Sequence, residues 1–206
     1  MTAIIVTGTD TDVGKTVFAA ALTAALGAYY WKPVQAGTEG GGDRARVREL
    51  SGLPSDRLLP EAYRLKTPCS PHRAAAIEGV VIDPARLAPP SVRPLVVEGA
   101  GGALVPVTPE LLYADLFARW QLPAVIVART ALGTINHSLL TIEALRARGI
   151  RLQGIAFVGE AADDSEHTIA RLGDIKRLGR LPLIEPLEPA ALASAFAAAF
   201  RLEDFQ

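Results

Sequence analysis

A lysine and a threonine placed together at the end of a glycine-flanked turn suggest a bound anion. The stretch "GTDTDVGKT", Gly8 to Thr16, follows the apolar run "AIIV" and leads into a long Ala/Leu-rich segment. A buried ammonium without a partner is costly, so something negative is expected beside Lys15. Between a strand and a helix, the backbone N–H groups of such a turn form a concave anion site, with the helix N-terminus behind them. Asp12, Val13, Gly14, Lys15, Thr16 and Val17 would then cradle a nucleotide's phosphates. Lys15 would reach the terminal phosphates and the Thr16 hydroxyl would ligate Mg²⁺. Gly8 and Gly14 stand one residue further apart than in the usual P-loop pattern G-x-x-x-x-G-K-[ST]. The plain alternative is an ordinary strand-to-helix turn with a surface lysine. It is disfavoured because strand, loop and helix all stand where the motif needs them.

Further charged residues gain meaning beside such a loop. Lys32, at the end of the next apolar run, would by itself read as a snorkelling surface lysine. Next to a phosphate site, a second fixed cation can stabilise a transferring phosphoryl group. Asp43 ends the "TEGGGD" stretch and Glu98 ends the strand "PLVVEG". Each alone is more often a solvated carboxylate. A hard cation on triphosphate, however, wants few carboxylates and several other oxygens, and Glu98 facing Thr16 across a sheet edge meets that need. Gly99, Ala100 and Gly101 are expected to turn with little side chain, letting backbone approach a ligand. His72 and His137 lack Cys or acidic neighbours at zinc-ligand spacing, and His167 is expected on an exposed polar helix. There is no G-x-S-x-G elbow, and Cys69 has no arrangement that would make it a nucleophile.

These residues need elements to hold them. The runs 3–8, 29–34, 94–99, 123–128 and 152–158 read as short strands, mostly apolar on both faces. Between them lie helical patterns at 15–27, about 110–120, 136–148 and 164–177. A final one, "LEPAALASAFAAAF", carries Leu192, Phe196 and Phe200 as a core stripe. The alternation predicts an α/β fold, a doubly wound and mainly parallel sheet flanked by helices. Segment 38–94 is less regular, broken by "GGGD", "TPCSP" and "APPSVRP". In such folds ligands lie at the carboxyl ends of the strands, so the loops beginning near Gly8, Lys32, Glu98, Arg129 and Val158 are expected on one edge.

Composition narrows the class. A chain of 206 residues, half of them hydrophobic, suits a single domain, 1–206. A formal charge of −1 gives no global attraction to nucleic acid or membrane, so phosphate recognition must be local. With one cysteine no internal disulfide can form, and no signal-type segment or membrane-length apolar run is present, so a cytoplasmic protein is expected.

The spacing of the first loop, together with four later segments, resembles the dethiobiotin synthetase family. "GTDTDVGKT", "WKPVQAG" (31–37), "CSPHRAA" (69–75), "VVEGAGG" (96–102) and "LGTINH" (132–137) resemble that family's segments in the same order. The similarity runs from 3 to about 158 and fades beyond. It implies an ATP- and Mg²⁺-dependent cyclo-ligase of biotin biosynthesis. The family reaction joins CO₂ to 7,8-diaminopelargonate through a carbamate and a carbamic-phosphoric anhydride, closing the ureido ring and releasing ADP and phosphate. The resemblance implies catalytic roles for Lys15 and Lys32, the latter on the carbamate and γ-phosphate. It implies Mg²⁺ ligation by Thr16, Asp43 and Glu98, and substrate positions at Thr11, Ala36, Ser70 and Asn136. Asn136 would act across the twofold interface of a homodimer. Two departures stand out. Ala36 replaces the family's usual hydroxyl residue, and Val158 and Gly159 stand where an Asn-Asp pair often reads adenine. Backbone near Pro182, Leu183 and Ile184 is then left to read the base.

Two rival readings share the P-loop. Partitioning or division-type regulatory ATPases carry a second lysine just after the loop's first glycine, where this chain has Thr9. Amide-forming ATPases related to cobyrinate amidases need a glutaminase domain, for which 206 residues leave no room.

Overall fold

Ala3–Gly8 (β1) is buried at every position and apolar but for Thr7, as suits a strand covered on both faces. Lys15–Ala25 (α1) comes after the glycine-flanked loop, and Tyr29–Trp31 (β2) and Val34–Ala36 (β3) come next. Asp43–Ser51 (α2), Tyr63–Leu65 (β4) and Pro71–Glu78 (α3) occupy the middle of the chain. Leu95–Gly102 (β5) leads to the hairpin of Pro106–Thr108 (β6) and Leu111–Leu112 (β7), then Tyr113–Trp120 (α4). Ala124–Arg129 (β8), Thr134–Arg146 (α5), Leu152–Val158 (β9) and Asp163–Leu172 (α6) continue the alternation. Arg177–Leu181 (β10) and Pro189–Ala199 (α7) complete it. The computed structural model describes residues 3–205.

Six strands form one parallel sheet in the order β10-β9-β8-β1-β5-β2. Because every strand runs the same way, all their carboxyl ends share one edge. β1 lies centrally, with Val6 in register with Glu98 on one side and with Val125 on the other. Its side chains alternate between two cores. Ile5 packs with Phe117, Ile142 and Leu145 on one face, while Ile4 and Val6 pack with Phe18, Leu22 and Phe196 on the other. The doubly wound sheet expected from the sequence is therefore the fold. Among the described residues no helix is long and apolar enough to cross a membrane.

Several local expectations are corrected. The run 29–34 is two strands, not one. Pro33 has no N–H for a ladder, and β3 leaves the main sheet to pair with β4 in register Gln35 to Arg64. The helix expected over 164–177 stops at Leu172, and 177–181 is the edge strand β10. Gly173 and Asp174, the latter at φ 42°, end the helix. The charges of Arg177 and Arg180 mimic a helical polar face, yet both guanidiniums reach the buried Glu166 of α6, at 2.5 and 2.9 Å. "EGAGG" does not turn after Glu98, because β5 continues to Gly102, which pairs with Gly8. Glu98 is thus within a strand rather than at its end. The irregular middle segment holds two helices, α2 and α3. Only Val47 and Leu50 of α2 are buried, which left too little apolar periodicity to read.

Candidate active site

The loop after β1 is shaped by its glycines. Gly14 caps α1 at φ 88°, and a Cβ there would lie 2.8 Å from Val158 Cγ1, so both backbone and space demand glycine. α1 has no side-chain cap and no acidic residue in its first turn. Its first N–H groups are therefore free for an anion, with the positive end of the helix dipole behind them. Lys15 folds back over Gly8, and its Nζ donates to the Asp10 carbonyl at 2.6 Å. Burial pulls its pKa down to about 8, against the opposing attraction of Glu98. A phosphate arriving here would further favour the charged form.

A second centre forms where β2, β5 and the start of α2 meet. Glu98 is fully buried in β5 and accepts three side-chain bonds. Thr16 Oγ1 donates to its Oε1 at 2.8 Å, Lys32 Nζ to the same oxygen at 3.2 Å, and Tyr30 OH to Oε2 at 2.9 Å. Lys32, 3% exposed, also donates to the Gly99 carbonyl at 3.1 Å and pairs with the Asp43 carboxylate. Burial alone would depress the Lys32 pKa, but the carboxylates of Glu98 and Asp43 override it and hold the ammonium charged well above its usual range. Burial, with the Glu98 charge, likewise raises the Tyr30 phenol, which stays a neutral donor. One lysine thus bridges two carboxylates beside the mouth of the phosphate loop.

Both centres open into one cleft of about 710 Å³. Of the residues singled out from sequence, Thr11, Asp12, Gly14, Lys15, Thr16 and Val17 line it from the loop, and Lys32, Ala36, Asp43, Ser70, Glu98, Ala100 and Gly101 line the rest. Val13 is buried beneath the loop, and Gly99 offers its carbonyl to Lys32 rather than a surface to the cleft. Asn136 is exposed on the first turn of α5, outside its own chain's cleft. Pro182, Leu183 and Ile184 come after β10 on the same sheet edge and are also outside it, with Leu183 exposed. His72 lines a separate apolar groove with Val80 and Val107. Sequence reasoning overlooked Gln35, Cys69 and Val105 as cleft residues. Gln35 had a legible signal, a lone amide inside the apolar strand "VQA"; Cys69 and Val105 had none.

Val158, at the position where the resemblance expects a base-reading residue, packs on Gly14. Gly159 spends its N–H on the Leu181 carbonyl at 3.0 Å. Neither has a side-chain donor or acceptor, and the Gly159 N–H is already taken.

The residues present suit a divalent cation. Thr16, Asp43 and Glu98 supply a hydroxyl and two carboxylates, all hard oxygens tied to the same small neighbourhood. Among the described residues no group of three or more His, Cys, Asp and Glu side chains forms a metal cage. That sparse set fits Mg²⁺, which keeps waters and phosphate oxygens for its other positions.

A parallel sheet, a lysine-bearing glycine loop opening into α1, and a buried β5 carboxylate bonded to the threonine that follows that lysine define a P-loop nucleotide-binding protein. Solved structures agree at the level of fold. A ParA family ATPase from Chlorobium tepidum is 11% identical, with a TM-score of 0.56 over 96% of this chain and 91% of its own. The cell division ATPase MinD of Pyrococcus furiosus is 12% identical, with a TM-score of 0.57 over 100% and 98%. A family model described as an AAA domain matches residues 2–191. An ATP-dependent dethiobiotin synthetase BioD from Novosphingobium aromaticivorans is 68% identical over 205 residues, 100% of both chains. One from Rhizorhabdus wittichii is 66% identical over 204 residues, 98% of each. The chain belongs to the family of ATP-dependent dethiobiotin synthetases.

Proposed function

We propose that this chain, working as one ATP-binding synthetase domain, closes the ureido ring of 7,8-diaminopelargonate with CO₂ and releases ADP and phosphate. Its family makes it an ATP-dependent ligase that forms carbon–nitrogen bonds. The observation that carries the finer reading is Lys32, buried yet held charged by Glu98 and Asp43 at the mouth of the phosphate loop.

That placement supports the following chemistry. A carbamate oxygen is a poor leaving group until it is phosphorylated. Lys15 and the free N–H groups of α1 would grip the terminal phosphates and orient the γ-phosphoryl group. Lys32 would hold the carbamate and offset the charge that builds during transfer. The neighbouring amine then attacks the carbamic-phosphoric anhydride at high effective molarity, which asks no nucleophile of the protein. Thr16, Asp43 and Glu98 would hold Mg²⁺, which when bound offsets charge on the phosphate oxygens. Thr11, Ala36 and Ser70 line the same cleft and would face the diamine. Ala36 supplies no hydroxyl, so that contact would fall to its neighbours.

The same reading makes the protein a cytoplasmic homodimer. α5 is capped by Gly133 with no side-chain cap and no acidic first turn; the Thr134 N–H donates to Ala131, and the next first-turn N–H groups with the Asn136 amide would be open to a carboxylate. Leu132 is fully exposed and Leu104 and Leu140 are half exposed, which supports a covering subunit. Asn136 would then serve the partner's cleft.

Incubating purified protein with MgATP, bicarbonate and 7,8-diaminopelargonate, then measuring dethiobiotin by mass and ADP by coupled assay, tests the reading. Diamine-dependent ADP release with matching dethiobiotin is expected. ATP turnover indifferent to the diamine, with no cyclic urea formed, would refute it and favour a regulatory ATPase.

A further inference from the structure

Asp43 must reach Lys32 from an awkward place. It opens α2 directly after Gly40, Gly41 and Gly42, whose φ values are 65°, 92° and 78°. Three consecutive glycines at positive φ leave a loop with wide conformational freedom. The helix provides no internal brake, because its cap Gly42 has no side chain and makes no side-chain cap bond. The Lys32–Asp43 pair is not enough by itself, since the Asp43 side chain is 32% exposed and partly screened.

The missing cap comes from another strand. Gln35, in β3, is 5% exposed, and its Oε1 accepts the Asp43 N–H at 3.0 Å. Its Nε2 donates back to the Gly37 carbonyl at 2.8 Å and the Ala36 carbonyl at 3.2 Å, which fixes the direction of the amide. The loop closes on this side chain, because a Cβ on Gly42 would lie 3.0 Å from Gln35 Cδ. Lys32 and Gln35 share one short segment of chain, so the amide ties both partners of the ion pair to the same backbone.

We propose that Gln35 is a positioning residue, whose carboxamide caps α2 from β3 and so sets the Asp43 carboxylate against Lys32. The inference deepens the reading above, and its functional half rests on Asp43 being a metal ligand. A buried glutamine that merely satisfies its own hydrogen bonds would cost stability on removal and nothing more.

The test compares wild type, Gln35→Met, Asp43→Asn and the double variant as full-length protein. In Gln35→Met, amide hydrogen exchange across 39–47 should accelerate, with the rest of the chain unchanged. Manganese(II), titrated by electron paramagnetic resonance in the presence of ADP, should bind about fivefold more weakly to Gln35→Met, the factor expected for one lost hydrogen bond. In the Asp43→Asn background the same replacement should change affinity by less than about twofold, as coupled neighbours do. Unchanged exchange in the loop, or equal losses in both backgrounds, overturns the inference. If Asp43→Asn leaves manganese binding intact while the loop still responds to Gln35→Met, the metal assignment fails and the positioning of Asp43 stands. Should Gln35→Met lose the fold, Gln35→Asn replaces it, since it keeps a neutral amide but is one methylene too short to accept the Asp43 N–H. Coupling to Asp43 is again expected, and additive losses again overturn the proposal.

Discussion

Lys32 neutralises the Glu98 and Asp43 carboxylates, and in the proposed function it also takes part in the chemistry; the two roles can be separated. Replacing it with alanine leaves Glu98, fully buried, and Asp43 without their cation. Removing one partner of a buried pair costs about 3–5 kcal/mol, so Lys32→Ala should melt well below wild type. Its kcat should also fall by about 10² or more, the loss that goes with a preorganised transition-state donor. Magnesium and nucleotide should recover part of the melting temperature by supplying charge, but not kcat. Calorimetry and steady-state kinetics on the same preparation check this; a variant that only raises KM for the diamine contradicts it. Val158 bears on a different property at the same scale. It packs on Gly14, and the Gly159 N–H is already committed to Leu181, so neither residue has a side-chain donor or acceptor to offer a base. An apolar slot leaves no buried polar group unpaired by the wrong base, so ATP, CTP and GTP should differ by about tenfold or less in kcat/KM. Competition at subsaturating nucleotide measures it, and a preference for ATP above about a thousandfold would mean that backbone near Pro182 to Ile184 reads the base.

At the scale of elements, α4 and α5 are joined by one carboxylate. Asp115 accepts the Leu112 N–H at 3.1 Å, closing the start of α4, and accepts Arg148 Nε at 2.7 Å just beyond α5. The Arg148 bond, with that backbone bond, holds its pKa below the usual carboxylate value. A carboxyl with a depressed folded pKa stabilises the fold above its unfolded pKa and loses that contribution as pH falls through the folded value. Asp115→Ala should therefore cost about 1 kcal/mol near neutrality, or roughly 2–4 °C in melting temperature. The gap between variant and wild type should close as pH falls below the ordinary carboxylate range and through the lower folded value. A gap that persists in acid would mean packing, not charge, makes the contact. The same elements mark what was legible in the sequence. Buried strands such as β1, β8 and β9 declare themselves because both faces are apolar, and the glycine loop declares the phosphate site. β10 was hidden because Arg177 and Arg180 turn inward to Glu166, an ion pair that no periodicity reveals. α2 was hidden because two buried residues cannot write a stripe. Glu98 was identified by type, but its bonds to Tyr30 and Lys32 depend on strands far apart in sequence. The cap that Gln35 gives to α2 was likewise beyond reach, since it joins two elements whose existence the pattern did not disclose.

The whole molecule raises the question of where Asn136 acts. It lies outside the cleft of its own chain, beside a fully exposed Leu132 and a half-exposed Leu140. The simpler role is local: Thr134 donates to the Arg129 carbonyl at 2.5 Å, and Asn136 could just be a solvated residue of the first helical turn. A twofold dimer that buries these leucines would bring Asn136 to the partner's cleft, since an isologous interface carries each chain's residue to the other's site. The two roles separate by mixing. Lys32→Ala and Asn136→Ala should each be severely impaired as homodimers. In a mixed dimer with shared sites, one cleft collects both defects and the other collects none. Random exchange makes half the dimers mixed, each with one intact site, so equimolar subunits should regain about a quarter of wild-type activity. If Asn136 serves its own chain, every cleft in the mixture stays defective and activity remains the average of the two parents. Unfolding and refolding the variants together, with separately refolded controls, supplies the exchange. Leu132→Asp, placed on the exposed start of α5, should shift sedimentation toward the monomer and abolish the gain from mixing. An active monomer at working concentration would place Asn136 in the local role and remove the shared site.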